Sequence, residues 1–376
     1  AAEAEARAAA FLSGAEDSDG EVATLARREG KLLEAAAVIL EDVGEEHRDL
    51  GRLKRLFEEW KRDFPEEYAQ VYCSLSLPPL LEPFVRLELL AWDPLAHALM
   101  TRRGEGEGEV AVVGGGGADE EEENGAWAVD RVPVEDFEVF NWYRVFCDYA
   151  AGIPTPKNAP AEETDPDENL VPKLVAAAAA PRAAAAAREG LDPRSAAHCR
   201  GLAAALGELL LYEPPPAALG PLCQAILVHF KEEIDELCIP LLEVSNADAL
   251  EFTREQMYTA IKLYKNCAIF QQYISPEALT SLAVIELVGK KLVPVLSHLL
   301  DQKKHGQDAP DAARQEEVLR ACEEVAAATP DPWKAGAWAE RLDLFLDLLA
   351  KLAEGLRAQL RRAHHGGGGG GRRHVA

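Results

Sequence analysis

The chain has 376 residues, 48% of them hydrophobic, and 39 Lys and Arg stand against 65 Asp and Glu for a formal charge of −26. The apolar content allows a sizeable core and excludes wholesale disorder, and the length allows roughly two or three domains or one long helical array. The acidic balance argues against phosphate-backbone binding as the main activity, because such binding is driven by clustered Lys and Arg.

The chain opens AAEAEARAAA, with neither Met nor an apolar signal core, as expected of a fragment or a processed product. Residues 1–23 read as a low-complexity tail. From about Thr24 to Trp60 the pattern is helical. Ala36, Ile39, Val43, Leu50, Leu53, Phe57 and Trp60 recur at three- and four-residue steps, a coiled-coil-like seam that Gly44 and Gly51 weaken or bend. That seam packs either within the chain or against another helix, so the oligomeric state stays open. Pro65 closes the segment, and Pro78, Pro79 and Pro83 predict a break of residues 66–95 into two short helices. Together these stretches form an N-terminal helical block over residues 24–100.

Residues 101–126 are mostly acids and glycines and read as a disordered, self-repelling insertion. Helical patterning resumes from Val134 to Tyr149. A second loop, Gly152–Asn169, holds Pro154, Pro156, Pro160 and Pro166 among acids. The remainder predicts helices near 170–188, 194–212, 217–238, 253–272, 276–302, 312–328 and 335–363. Asp192-Pro193 and Ser275-Pro276 read as helix starts, each a capping side chain followed by Pro. A helical-array domain is assigned to 127–330, a C-terminal helix to 331–363 and a flexible tail to 364–376. The fold class expected is all-α, an elongated array of antiparallel helix pairs (solenoid-like) with disordered low-complexity loops.

Chemical motifs are sparse. EVAVVGGGGAD, residues 109–119, looks like the entry to a nucleotide loop, but no Lys and hydroxyl follow and the glycines run into DEEEEN, which repels phosphate. His198 and Cys199 are adjacent, so on a helix they point about 100° apart and do not ligate one ion together. No Cys/His quartet has zinc-finger spacing, no G-x-S-x-G elbow is present, and acid pairs such as Glu58-Glu59 read as solvated helix faces. The expectation is a protein without catalytic residues, metal or cofactor. Seven Cys with no C-x-x-C pair read as free, buried thiols of a reducing compartment. No uncharged stretch reads as a membrane span. Arg48, Arg52, Lys54, Arg55, Lys61 and Arg62 form a local basic cluster with acids interspersed. Ion pairing along the helix is the plainer reading, and a nucleic-acid-facing surface is the alternative.

The most informative stretch is residues 39–95. It holds Glu41-Asp42, F-E-E-W at Phe57–Trp60, Y-x-x-x-Y followed by S-L-x-x-P at Tyr68–Pro78, P-x-x-R-L-E-L-L at Pro83–Leu90 and W-D-P-L at Trp92–Leu95. This block resembles the opening of the GC-rich sequence DNA-binding factor-like domain family. FNWYRVFCDYAAG (140–152), NLVPKLVAAAAAPRAAAA (169–186) and KNCAIFQQYISPEALTSLAVIELVGKKLVPVLSHL (265–299) extend the resemblance over about residues 35–330. The Gly/Glu insertion at 101–126 and the alanine-diluted middle helix depart from the family's pattern.

The resemblance implies a nuclear, non-catalytic helical scaffold of pre-mRNA splicing. It implies action in disassembly of the intron-lariat spliceosome with a G-patch protein and a DEAH-box helicase, with nucleic-acid contact indirect or weak. A GC-rich DNA-binding transcription regulator is the alternative. Candidate partner-binding positions are Trp60, Phe84, Arg86, Trp92, Asp93, Pro94 and Trp142. Each aromatic also suits a core position, and Arg86, set between apolar residues, calls for a carboxylate partner.

Overall fold

The computed structural model describes residues 27–95 (except 29 and 37), 136–151, 166–239, 247–304, 312–334 and 339–366. The 1–23 tail, the 101–126 insertion and the last ten residues lie outside them. The described elements are helical throughout, so the fold is all-α. Contacts divide the chain into two compact units. Among the described residues, unit 1 takes those within 1–93, 98–179 and 212–214, and unit 2 those within 94–97, 180–211 and 215–376.

Unit 1 begins with helical residues between 27 and 38, then α1 (Glu45–Arg48), α2 (Leu50–Asp63), α3 (Pro65–Gln70) and α4 (Cys73–Glu88). The helical pattern expected from Thr24 to Trp60 is interrupted at Gly44, one of the two glycines expected to weaken it, and again at Asp49, while Gly51 lies inside α2. Gly44 takes an extended backbone at the N-cap of α1, and Asp49 leaves the helix to cap α2, its side chain accepting from the Arg52 amide at 2.7 Å. A capping Asp and a glycine outweigh the apolar seam. Leu50 is buried, whereas Ile39 stays exposed.

The break expected at the prolines also falls elsewhere. Pro78, Pro79 and Pro83 lie inside α4, and the chain turns at Tyr72 instead, whose φ of 54° puts it in the left-handed region. That conformation costs a non-glycine residue about 1–2 kcal/mol. α4 survives its prolines because Leu77, Leu81, Val85 and Leu89 bury a full stripe beneath it.

A short 3-10 turn (Phe137–Val139) leads into α5 (Asn141–Ala151), and a second (Pro166–Asn169) leads into α6 (Leu170–Leu174) and the π-helical turn Val175–Ala179. Within unit 1, α2 packs on α5, and α4 packs on α6.

Unit 2 holds α7 (Ala180–Gly190), α8 (Ala196–Leu210), α9 (Pro216–Glu236) and α10 (Ala247–Ile269). Then come α11 (Pro276–Thr280), a π-helical stretch (Ser281–Leu292), α12 (Val293–Lys304), α13 (Ala312–Ala327) and α14 (Ala339–Gly366). These bounds fall close to the spans expected from the pattern. The start expected at Ser275-Pro276 holds, whereas the one expected at Asp192-Pro193 falls three residues later, because Asp192 caps the preceding turn by accepting from the Arg194 amide at 2.8 Å and Ser195 takes the cap of α8. Ser195 Oγ accepts from the His198 amide and Ser275 Oγ from the Ala278 amide, each at 3.3 Å.

Alanine sets the packing of unit 2. Ala180, Ala183, Ala184 and Ala187 bury one face of α7, and the absence of bulk lets α9 lie against it along much of its length. The wider run Asp167–Gly190 is long and apolar enough to cross a membrane by length and composition, with a mean hydropathy of 1.2. In the fold 56% of that window is buried, as in a core helix.

Candidate protein-interaction site

The polar interior of unit 1 converges on Asp167, which is 2% exposed. Its Oδ2 accepts from Lys61 Nζ of α2 at 2.6 Å, from Tyr68 Oη of α3 at 2.9 Å and from Tyr149 Oη of α5 at 3.3 Å. The two phenols also meet at 2.8 Å. Burial alone would raise the Asp167 carboxyl, but hydrogen bonds from Lys61, Ser74 and Tyr68 outweigh it and hold the group below the ordinary carboxylate value. Burial next to this anion pushes both phenols well above their ordinary range. Such a set exchanges no proton near neutrality, and its effect is to pin α2, α3 and α5 around one anion.

Lys54, one helical repeat before Lys61 on the same face, pairs with Asp148 of α5 and with Glu58 at 3.4 Å. Glu88 at the end of α4 accepts from the Trp142 amide at 3.1 Å and so caps α5 from outside that helix. Burial raises the Glu88 carboxyl despite the hydrogen bonds from Trp142 and Asn141. The cleft between α2, α4, α5 and α6, lined by Phe57, Leu81, Phe146 and Leu170 among others, has room for little more than a water molecule.

The residues singled out in the sequence scatter across this frame. Trp92 is 1% exposed and Trp142 0%. Both rings pack on Phe137, at 5.5 and 5.7 Å, in a cluster that Tyr143 and Tyr212 complete. The Trp142 indole nitrogen finds no hydrogen-bond partner among the described residues. Pro94 is buried, and Asp93 and Phe84 are half-buried. Trp60 stays partly exposed on α2, its ring meeting the edge of Tyr68 at 5.6 Å.

Arg86 differs from its expectation. It is 60% exposed, not sunk among apolar side chains, and its carboxylate partner is Glu82 at 2.5 Å, one turn back on the same helix. Arg86 also donates to the Ala177 carbonyl at 3.4 Å, the acceptor whose α-helical donor Pro181 lacks.

The basic cluster is divided between paired lysines and exposed arginines. Lys54 and Lys61 turn inward to Asp148 and Asp167. Arg48 and Arg52 pair with Glu45, at 3.8 and 3.2 Å, and Arg62 pairs with Asp63 at 2.8 Å. Arg55 points to solvent. The seven cysteines are free, and burial raises the thiols of Cys199, Cys267 and Cys322 to about 12, so they are inert at neutral pH.

Sequence reasoning passed over Asp167, Tyr149 and Glu88, whose roles depend on partners far along the chain. It also passed over the outward face of α4. The Y-x-x-x-Y pair, Tyr68 and Tyr72, held part of the signal. The left-handed turn between α3 and α4 sends Tyr68 inward and Tyr72 outward.

The family model described as GC-rich sequence DNA-binding factor-like protein matches residues 50–244. The chain belongs to this family. The match takes in α2 to α9, including the Asp167 network and α4. Among GC-rich sequence DNA-binding factor-like proteins, Transcriptional repressor ILP1 of Arabidopsis thaliana is 26% identical over 65% of this chain and 23% of its own length. The mouse Intron Large complex component GCFC2 is 20% identical over 84% of this chain and 36% of its own length. The mouse PAX3- and PAX7-binding protein 1 is 21% identical over 90% of this chain and 33% of its own length. The chain thus spans 23% to 36% of the length of these relatives, whose names attach them to transcriptional repression, to an Intron Large complex and to PAX3 and PAX7 binding.

Proposed function

We propose that this chain is a non-catalytic nuclear scaffold of pre-mRNA splicing, acting in disassembly of the intron-lariat spliceosome with a G-patch protein and a DEAH-box helicase. The observation that carries the reading is the similarity, over 84% of the chain, to a relative named for an intron complex. One physical feature supports it. Unit 1 leaves large apolar side chains such as Tyr72, Leu75 and Leu80 in solvent.

The names of the plant repressor and the PAX-binding relative favour a second reading, a GC-rich DNA-binding transcription regulator. The −26 charge and the inward-turned Lys54 and Lys61 weigh against direct phosphate contact.

Purification of the tagged chain from nuclear extract at two salt concentrations tests both. The scaffold reading expects a G-patch protein, a DEAH-box helicase and excised intron lariats at both. Their absence, with GC-rich DNA retained at low salt and lost at high salt, overturns it in favour of the regulator.

A further inference from the structure

The outward face of α4 is apolar where a solvated helix is polar. On helical spacing Tyr72, Leu75, Pro79, Leu80, Pro83 and Leu90 fall within one arc, and all are exposed. Tyr72 is 69% exposed and Leu75 63%. The opposite arc carries the core, so α4 is apolar on both sides, the pattern of a helix covered on both sides.

Three further observations give this face a chemistry. The prolines at 79 and 83 lack the amide donors that the carbonyls of Leu75 and Pro79 take in an α-helix, and both carbonyls belong to the exposed arc. Glu66 and Glu67 stand exposed on α3, just upstream. Arg86, the cation of the arc, is neutralised by Glu82. The surface therefore offers aliphatic area and hydrogen-bond acceptors, rimmed by negative charge. At its head Tyr72 holds a left-handed backbone that glycine would adopt without strain. An aromatic ring kept in solvent at that cost points to a use for the ring.

We propose that the outward face of α4, headed by Tyr72, docks an amphipathic helix of a partner protein whose apolar stripe is flanked by Lys or Arg. The stripe packs against Leu75, Leu80 and the proline rings. The flanking cations meet Glu66 and Glu67. Nucleic acid would meet Glu66 and Glu67 with like charge, so it does not match the surface. The proposal rests on the scaffold reading only for the identity of the partner.

The test places a photo-crosslinking p-benzoylphenylalanine at Leu80 of the full chain, with a control at the exposed Leu344 of α14, in nuclear extract. Cross-linked peptides are mapped by mass spectrometry. The expected product, specific to position 80, is a peptide with apolar residues at helical spacing flanked by Lys or Arg. That peptide, synthesised, is then titrated against the chain. Leu75→Asp with Leu80→Asp weakens binding by at least about tenfold with an unchanged melting temperature. Tyr72→Gly weakens it while leaving the melting temperature equal or higher, which separates a binding role from a structural one. Glu66→Lys with Glu67→Lys weakens it and flattens its salt dependence.

No cross-link at position 80, a cross-link to RNA or to a second copy, a mapped peptide without that pattern, or equal binding by the double-Asp variant overturns the proposal. If the mapped peptide fits and its protein lies outside splicing, docking stands and the scaffold reading fails. If splicing proteins co-purify and position 80 captures nothing, the reverse holds.

Discussion

The two units hold themselves together by different means. In unit 1 the interior is tied by charge and hydrogen bonds. Asp167 gathers Lys61, Tyr68 and Tyr149, Lys54 joins α2 to α5, and Glu88 caps α5. Unit 2 relies on volume, with an alanine face on α7, close aromatic contacts and inert thiols at the centre. Its buried polar links include Tyr264 with Thr329 at 2.8 Å and Asn266, which donates to the Pro193 carbonyl at 2.7 Å. In unit 1, α4 carries a buried apolar stripe and an exposed apolar arc. The polar ties of unit 1 fix a helix whose hydrophobic area is divided between the core and the outside.

Removing volume from unit 2 is the largest expected effect. Phe230 is fully buried in α9 and meets Phe270 edge-on at 6.1 Å. Phe230→Ala is expected to cost about 3–5 kcal/mol in denaturant unfolding. A loss under about 1 kcal/mol would break the comparison, since the site would then not depend on packing.

Asp167→Asn tests unit 1 and is expected to cost about 3 kcal/mol, because the Lys61 ammonium and both phenols lose their anion. The pH dependence has a definite sign. The folded carboxyl lies below its unfolded value, so its stabilisation is fully present above about pH 4 and is lost as pH falls through the depressed folded value. An acid titration followed by tryptophan fluorescence should show this limb in the wild type and its loss in Asp167→Asn. An unchanged acid limb would move the anion's role to another carboxylate.

The smallest effect sharpens the contrast within unit 2. Ser195→Ala removes the α8 cap and is expected to lower stability by about 1 kcal/mol, read as a shift in the unfolding midpoint. A larger loss would show that unit 2 also depends on local polar links.

Much of this was legible in the sequence. The helices from Leu170 onward declared themselves by apolar spacing, and Ser275-Pro276 marked one start, because caps and amphipathic periodicity act within a few residues; Asp192-Pro193 marked a turn, and Ser195 three residues on holds the cap of α8. Errors arose where local signals competed. Gly44 and Asp49 broke a seam that spacing alone would continue, and α4 ran through prolines that local rules read as a stop. Of the candidate site, Trp92 and Trp142 were visible as aromatics, but their shared contact with Phe137 was not.

The sequence by itself determined the all-α class, the family and most helix limits, since these follow from periodicity, capping and short motifs. Tertiary structure alone decided which charges turn inward, which of Tyr68 and Tyr72 faces the core, and that Asp167 serves helices distant in sequence. Burial and pairing are properties of neighbours brought together by folding, and no spacing along one strand of sequence encodes them directly.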